Sequence, residues 1–224
     1  DEKTISWIQQ TNGATGRLST KKVSAAVMAY RGYLGISENG EQLAKLIENA
    51  YLKNDNLADA TRALVNSLFE RYGLVVINAD EPVLKRQFSH IMEQDIIAQH
   101  SEKIVEKTSK ALTEKGYKTQ VNGREINFFY LKDNLRERII LKDDVYTINH
   151  TDIRFTKEEI LEELKNHPER FSPNVILRPL YQEVVLPNLC YIGGGGEIAY
   201  WLELKSNFEA NAIPFPILLV RNSV

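Results

Sequence analysis

Four consecutive glycines stand between a stretch of strand character and one of helix character in the run Cys190-Tyr191-Ile192-Gly193-Gly194-Gly195-Gly196-Glu197-Ile198-Ala199-Tyr200-Trp201. Nowhere else in the chain does backbone chemistry outweigh side-chain packing in this way. Glycine lets main-chain N–H groups turn inward and lets a ligand come close to the backbone. A helix that begins directly afterwards adds its own unpaired N–H groups and the positive end of its dipole. That combination favours an anion, a phosphate or a carboxylate. The alternative is a loop that needs only positive φ, and the run alone leaves both readings open.

The surrounding pattern sets the glycines in a repeating frame. Residues 174–177 read as a short apolar strand, 178–187 as a short helix, 188–192 as a strand, 197–211 as a helix and 213–220 as a strand. Strands alternating with helices through short connections imply an α/β fold with a parallel sheet and right-handed crossovers. Upstream, a helix is expected over 20–30. A second is capped at Asn39, with Gln42 three residues on, and carries Leu43, Leu46, Ile47 and Tyr51 on one face. Asn56 with Asp59 opens a third, with Leu57, Leu64 and Leu68 as its stripe and Gly73 as its end. Leu74-Val75-Val76-Ile77 has no polar alternation and reads as a strand buried on both faces.

Asp80, Glu81 and Pro82 then start a long helical pattern that runs to Gly116 with a break near His100. From Tyr117 the period changes to two. Asn122-Gly123 signals a type I′ hairpin between 118–121 and 125–131, and turns at 132–134 and 142–144 extend an antiparallel meander through Ile148. Thr156 and Glu159 form a capping box, with Phe155 and Ile160 spaced as its hydrophobic staple, for a helix that stops before Pro168.

With 224 residues, 43% hydrophobic and 26% charged, the chain can bury one large core or two small ones. A net charge of -2 with both signs interspersed leaves no electrostatic footprint for nucleic acid or for an anionic membrane. No apolar run reaches the ~18 residues a bilayer needs, and Asp1-Glu2-Lys3-Thr4 is not a signal peptide. A cytoplasmic location is therefore expected. The lone Cys190 excludes an intramolecular disulfide and reads as a small buried hydrophobe. The absent initiator methionine, and an end at Val224 just after an apolar strand, suggest a piece of something longer.

Several chemical candidates fail on spacing. Gly194 to Ala199 satisfies G-x-G-x-x-A, but the strand that follows ends in Arg221 where a dinucleotide site needs an acid. No histidine pair has the spacing of a helical zinc site, so no metal is expected. His150 with Asp152 reads as a capped turn, and Glu158, Glu159, Glu162 and Glu163 as a solvated helix face. Arg178, Gln182, Glu197 and Tyr200 are better placed, at strand ends or helix starts where an open parallel sheet forms its crevice. Arg178 can clamp a carboxylate or phosphate and Glu197 can accept from an amine or hydroxyl, whereas Trp201 reads as core.

The residues Asn174-Val175-Ile176-Leu177-Arg178-Pro179-Leu180-Tyr181-Gln182-Glu183, then Leu186-Pro187, then the run from Tyr191 to Trp201 closely resemble the central signature of the BshC family of bacillithiol biosynthesis. Residues 72–85 resemble a second family segment and residues 13–17 a third. The resemblance implies an incomplete Rossmann-like core related to nucleotidylyltransferases and class I synthetases. Residues 1–36 would be core or linker, 37–171 a helical and β-meander insertion, and 172–224 core with the glycine loop. It further implies a ligase that joins cysteine to glucosaminyl malate through an amide bond, with ADP or ATP as a possible nucleotide. A coiled coil would make the full-length protein a homodimer.

Within that frame Glu197, Tyr200 and Arg178 are the expected catalytic residues. Gly193, Gly194, Gly195, Gly196, Gln182 and Arg221 are expected to bind substrate or anion. The family usually has proline where this chain has Gly195. Its His-Asp motif would precede Asp1 and its coiled coil would follow Val224, so half of a crevice, inactive alone, is expected here. The competing classes are a stand-alone phosphate- or nucleotide-binding module and an interaction scaffold.

Overall fold

The computed structural model describes residues 4–222, so the readings of the two chain ends at residues 1–3 and 223–224 lie outside the described residues. The chain divides into two compact units, Asp1–Ala79 with Lys132–Arg136 and Asp80–Leu131 with Glu137–Val224.

The first unit is helical: α1 (Ser24–Leu34), α2 (Glu38–Leu52) and α3 (Leu57–Phe69). Ser37, not Asn39, caps α2, its hydroxyl accepting the Gly40 N–H at 3.1 Å. A Cβ at Gly40 would strike the Leu34 carbonyl oxygen, so the chain can turn into α2 here only with glycine. Asn56 caps α3 as expected, accepting the Asp59 N–H at 2.9 Å, and Gly73 closes the following turn at φ 77°. Residues 74–77 are not the expected buried strand. They pair with no strand among the described residues, and Leu74 and Val75 are 47% and 63% exposed. A strand apolar on both faces needs neighbouring strands and cover on each side, and among the described residues no strand pairs with 74–77.

In the second unit the long helical pattern resolves into α4 (Pro82–Gln87), α5 (Ser89–Ala98) and α6 (His100–Glu114). The break near His100 is real: Gln99 stands at φ 53°, in the left-handed region. The antiparallel meander consists of β1 (Phe128–Lys132), β2 (Leu135–Lys142), β3 (Val145–Ile148) and β4 (Arg154–Phe155). With β5 (Phe171–Pro173) it forms a five-stranded sheet in the order β4-β3-β2-β1-β5. Asp133, Asp143 and Asp144 take positive φ at the two expected turns. Helix α7 (Lys157–Asn166) starts at a complete capping box between Thr156 and Glu159. The chain continues through α8 (Arg178–Val185), β6 (Cys190–Gly193), α9 (Gly195–Ala210) and β7 (Ile217–Val220), with β6 and β7 pairing in parallel and Cys190 half-buried. No helix among the described residues is long and apolar enough to cross a membrane.

Three further local expectations fail. Asn122-Gly123 makes no hairpin. The N–H groups of Gln120 and Val121 donate instead to the buried carboxylate of Glu203, at 2.5 and 3.3 Å, and a Cβ on Gly123 would lie 3.0 Å from Glu102 Cα. Residues 174–177 are a turn rather than a strand. The Asn174 side chain accepts the Ile176 N–H at 2.8 Å, and the apolar run reflects full burial of Ile176 and Leu177. Among the described residues parallel pairing is thus confined to β6 and β7. Glu163, finally, is not on a solvated face: it accepts Tyr130 O–H and Arg170 Nη1, both at 2.6 Å.

One buried residue ties the start of β1 to α5 and to the turn before α8. Asn127 is fully buried; its N–H donates to Asp95 on α5 at 2.7 Å and its Nδ2 to the Arg124 carbonyl at 2.8 Å. Its Oδ1 accepts Asn174 Nδ2 at 2.9 Å, and its carbonyl accepts the Asn174 N–H at 2.8 Å. The core closes around it with Phe88 against Phe128 and Tyr181, at ring separations of 6.3 and 5.2 Å. Asn127→Ala removes the side-chain bonds to the buried Asp95 carboxylate, the Arg124 carbonyl and Asn174 Nδ2, and it should cost about 3 kcal/mol, read as a lower urea midpoint with an unchanged slope.

Burial alone would raise the Glu163 pKa, but the bonds from Tyr130 and Arg170 outweigh it and hold the carboxyl below its ordinary range. A folded-state pKa below the unfolded one gives stability that is present at neutral pH and lost as pH falls through the folded value. The melting-temperature gap between the wild type and Glu163→Gln should therefore shrink steadily below about pH 4. A gap independent of pH would contradict this.

Candidate functional site

The glycines lie at the carboxyl end of β6. Gly193 is the last residue of the strand, Gly194 is the N-cap of α9 at φ −68°, and Gly195 and Gly196 make the first turn. None of the four takes positive φ, so the loop does not need glycine for a left-handed backbone. Space explains them instead. A Cβ on Gly193 would sit 2.8 Å from the Tyr191 ring and 3.1 Å from Glu197 Cβ. A Cβ on Gly195 or Gly196 would meet nothing within 4 Å, so the first turn of α9 presents bare backbone to open space. A groove of about 610 Å³, walled by Leu112, Lys118, Ile198 and Leu202, opens beside Gly195.

Glu197 braces this start. Its Oε2 accepts the Gly194 N–H at 2.7 Å, half of a capping box that a glycine N-cap cannot complete, and its Oε1 accepts Tyr191 O–H at 3.3 Å. The Gly194 bond, with Tyr191 and the charges of Arg221 and Arg178, holds the Glu197 carboxyl below the usual range. At neutral pH it is an anion that accepts hydrogen bonds and a weak base. The Tyr191 ring stacks on Trp201 at 4.4 Å, and Trp201 is fully buried against Phe208 and Phe215, as expected of core.

Two arginines flank the turn. The Arg221 N–H donates to the Gly193 carbonyl at 2.8 Å, extending the ladder, and its Nη2 lies 3.6 Å from where a Gly194 Cβ would stand. Arg178, the exposed first residue of α8, donates from Nη1 to Gln182 Oε1 at 3.2 Å, and its guanidinium carbon is 6.0 Å from the centre of the Tyr200 ring. The Tyr200 hydroxyl donates to the Val175 carbonyl. Burial raises its pKa against the pull of Arg178, so the phenol stays protonated.

Arg178, Gln182, Glu197, Tyr200, Arg221 and the four glycines thus gather at the start of α9, at the carboxyl end of a parallel strand pair. Two guanidinium groups and unpaired first-turn N–H groups can hold a carboxylate or phosphate, and Glu197 can receive an ammonium. Among the described residues no group of three His, Cys, Asp or Glu side chains could hold a metal ion.

Two contributors are not visible as such in the sequence. Tyr191 holds Glu197. Glu183, only 4% exposed, accepts the Asn188 N–H and Nδ2 at 2.8 and 2.9 Å and Gln182 Nε2 at 3.2 Å. Both lie in the motif runs, but only the folded chain brings them to their partners. His150, by contrast, sits in a turn closed by Thr151 and approaches Glu137, not Asp152.

The parallel β6-α9-β7 unit, with a helix starting at its strand ends, is the α/β element of the fold and has the connectivity of a Rossmann-like domain. Comparison with known proteins fixes which one. Residues 1–222 match the model of the bacillithiol biosynthesis BshC N-terminal Rossmann-like domain, and the chain belongs to that family. It is 58% identical over 222 residues to a Flavobacterium johnsoniae protein named "Putative cysteine ligase BshC", covering 99% of this chain and 42% of the relative. Proteins of the same name from Cytophaga hutchinsonii and Salinibacter ruber are 39% and 34% identical, over 98% and 97% of this chain, and the match covers 40% of each. The chain thus spans about two fifths of the length of the relatives it matches.

The glycines divide by what surrounds them, and substitution should separate them. Gly193→Ala forces Tyr191 and Glu197 apart and should lower stability by about 1–3 kcal/mol. Gly195→Ala, in open space on a helix, should leave stability unchanged or raise it by about 0.5 kcal/mol. Urea denaturation of the two variants measures both, and equal effects would contradict the assignment.

Proposed function

We propose that the full-length protein is a carbon–nitrogen ligase that joins cysteine to glucosaminyl malate, and that the start of α9 forms one wall of its site. The observation that carries this reading is the open first turn at Gly195 and Gly196, flanked by Arg178 and Arg221. The malate part brings carboxylates suited to the two guanidinium groups and to the helix N–H groups. Glu197, ionised, accepts from the incoming amine and orients it. Tyr200 gives Arg178 an aromatic platform and keeps its own proton on the Val175 carbonyl.

Amide formation needs the cysteine carboxylate converted into one that can lose an oxygen. A nucleotide, ATP giving ADP or AMP, would supply that activation, its phosphates suited to the same N–H groups. Family membership and the relatives' printed names support the ligase class. Since this chain covers about two fifths of their length, the opposite wall belongs to the remainder and residues 1–224 alone are inactive. The same reading makes the full-length protein a cytoplasmic homodimer whose coiled coil lies outside these residues, acting on small molecules rather than nucleic acid or membrane.

The test is product formation by the purified full-length protein from glucosaminyl malate and cysteine, followed by mass spectrometry with and without ATP. Product that depends on ATP, and a loss of about 10²-fold in kcat/KM for Arg178→Ala, are expected. Absence of product under both conditions, or an unaffected Arg178→Ala, would overturn the reading.

A further inference from the structure

We infer that Gln182 and Glu183 act as a positioning pair that orients Arg178, whose hydrogen-bond partners are neutral, at the mouth of the site. This rests on the proposed role of Arg178 as a carboxylate clamp. Three observations carry it.

First, Glu183 is buried and fixed: its two oxygens accept the Asn188 N–H, Asn188 Nδ2 and Gln182 Nε2, at 2.8, 2.9 and 3.2 Å. Second, that fixed carboxylate sets the Gln182 amide. With Nε2 donating to Glu183, Oε1 points the other way and accepts Arg178 Nη1 at 3.2 Å. The flipped amide would set carbonyl against carboxylate and NH₂ against guanidinium, both repulsive, so only one orientation works. Third, the groups that hold Arg178 are neutral. A guanidinium has five N–H donors, and bonds to the Gln182 amide and the Tyr200 hydroxyl orient the fork without cancelling its charge.

The consequence is division of labour along one turn of α8. Arg178 and Gln182 lie four residues apart on the same helix face, and Glu183 faces inward to the α8–β6 connection. The buried carboxylate never meets the ligand. Its effect reaches the ligand only through the amide and the guanidinium, so Gln182 and Glu183 are positioning residues and should act on binding of the carboxylate-bearing substrate rather than on the chemical step.

The experiment uses the full-length protein. Gln182→Met keeps the side-chain length and removes both hydrogen-bonding atoms. It should raise KM for the carboxylate-bearing substrate roughly three- to tenfold with kcat within about twofold of wild type. Glu183→Gln should shift KM the same way. In a Gln182→Met background it should add nothing, since its effect passes through Gln182.

An unchanged KM in Gln182→Met, or fully additive effects in the double variant, would overturn the inference. A crystal structure of full-length Gln182→Met gives a readout independent of turnover. The Arg178 guanidinium should leave its place over the Tyr200 ring, and a guanidinium still 6.0 Å from that ring would equally overturn the inference. An inactive wild type would instead count against the ligase reading, and the crystallographic result would still decide the positioning role.

Discussion

Asn127 is the fixed point from which the second unit is built. Its side chain and backbone join the end of α5, the start of β1 and the turn before α8, with Asp95 as a buried carboxylate acceptor on one side and Asn174 on the other. Burying such a set is favourable only when every member is satisfied, so the arrangement has one geometry and little slack. The turn at 174–177 hangs from it, and that turn delivers Arg178 to the first position of α8. Glu203 does comparable work from α9, holding residues 120 and 121 through their N–H groups. Two buried polar side chains therefore do what strand pairing would do in a simpler sheet.

The site inherits its geometry from these anchors and its electrostatics from the helix it opens on. Glu197 spends one oxygen on the Gly194 N–H and the other on Tyr191, and two arginines stand nearby, so the carboxylate is stabilised as an anion. That favours a role as acceptor and orienter over one as proton shuttle. The bare turn at Gly195 and Gly196 is the complementary element, a patch of positive potential with no side chain over it. Cation, anion and open backbone meet at the first turn of α9, where Arg221 approaches Gly194 and Glu197 holds its N–H, which suits a ligand that carries both carboxylates and an amine.

What the sequence makes legible is what depends on near neighbours. The α7 capping box, the Asn56 cap, Pro82 at a helix start and the aspartate turns of the meander are readable because their partners lie within a few residues. The grouping of the candidate residues is readable for a related reason: Arg178 and Gln182 share one helix, and Gly193 to Tyr200 form one continuous run. Asn122-Gly123 misleads because the donors beside it are captured by Glu203, 82 and 83 residues away. The run at 174–177 misleads because a buried turn and a buried strand are equally apolar. At 74–77 the β-rich composition is genuine, yet no strand among the described residues pairs with it. Burial of Glu183 and the Tyr191 bond to Glu197 lie beyond any local pattern.

The central claim is that the start of α9, between Arg178 and Arg221, receives the substrate. A crystal structure of the full-length protein with glucosaminyl malate tests it most directly. Density for a carboxylate between the two guanidinium groups and the Gly195 and Gly196 N–H groups, with the amine toward Glu197, is the expected result. Full occupancy elsewhere, with this turn empty, would contradict it.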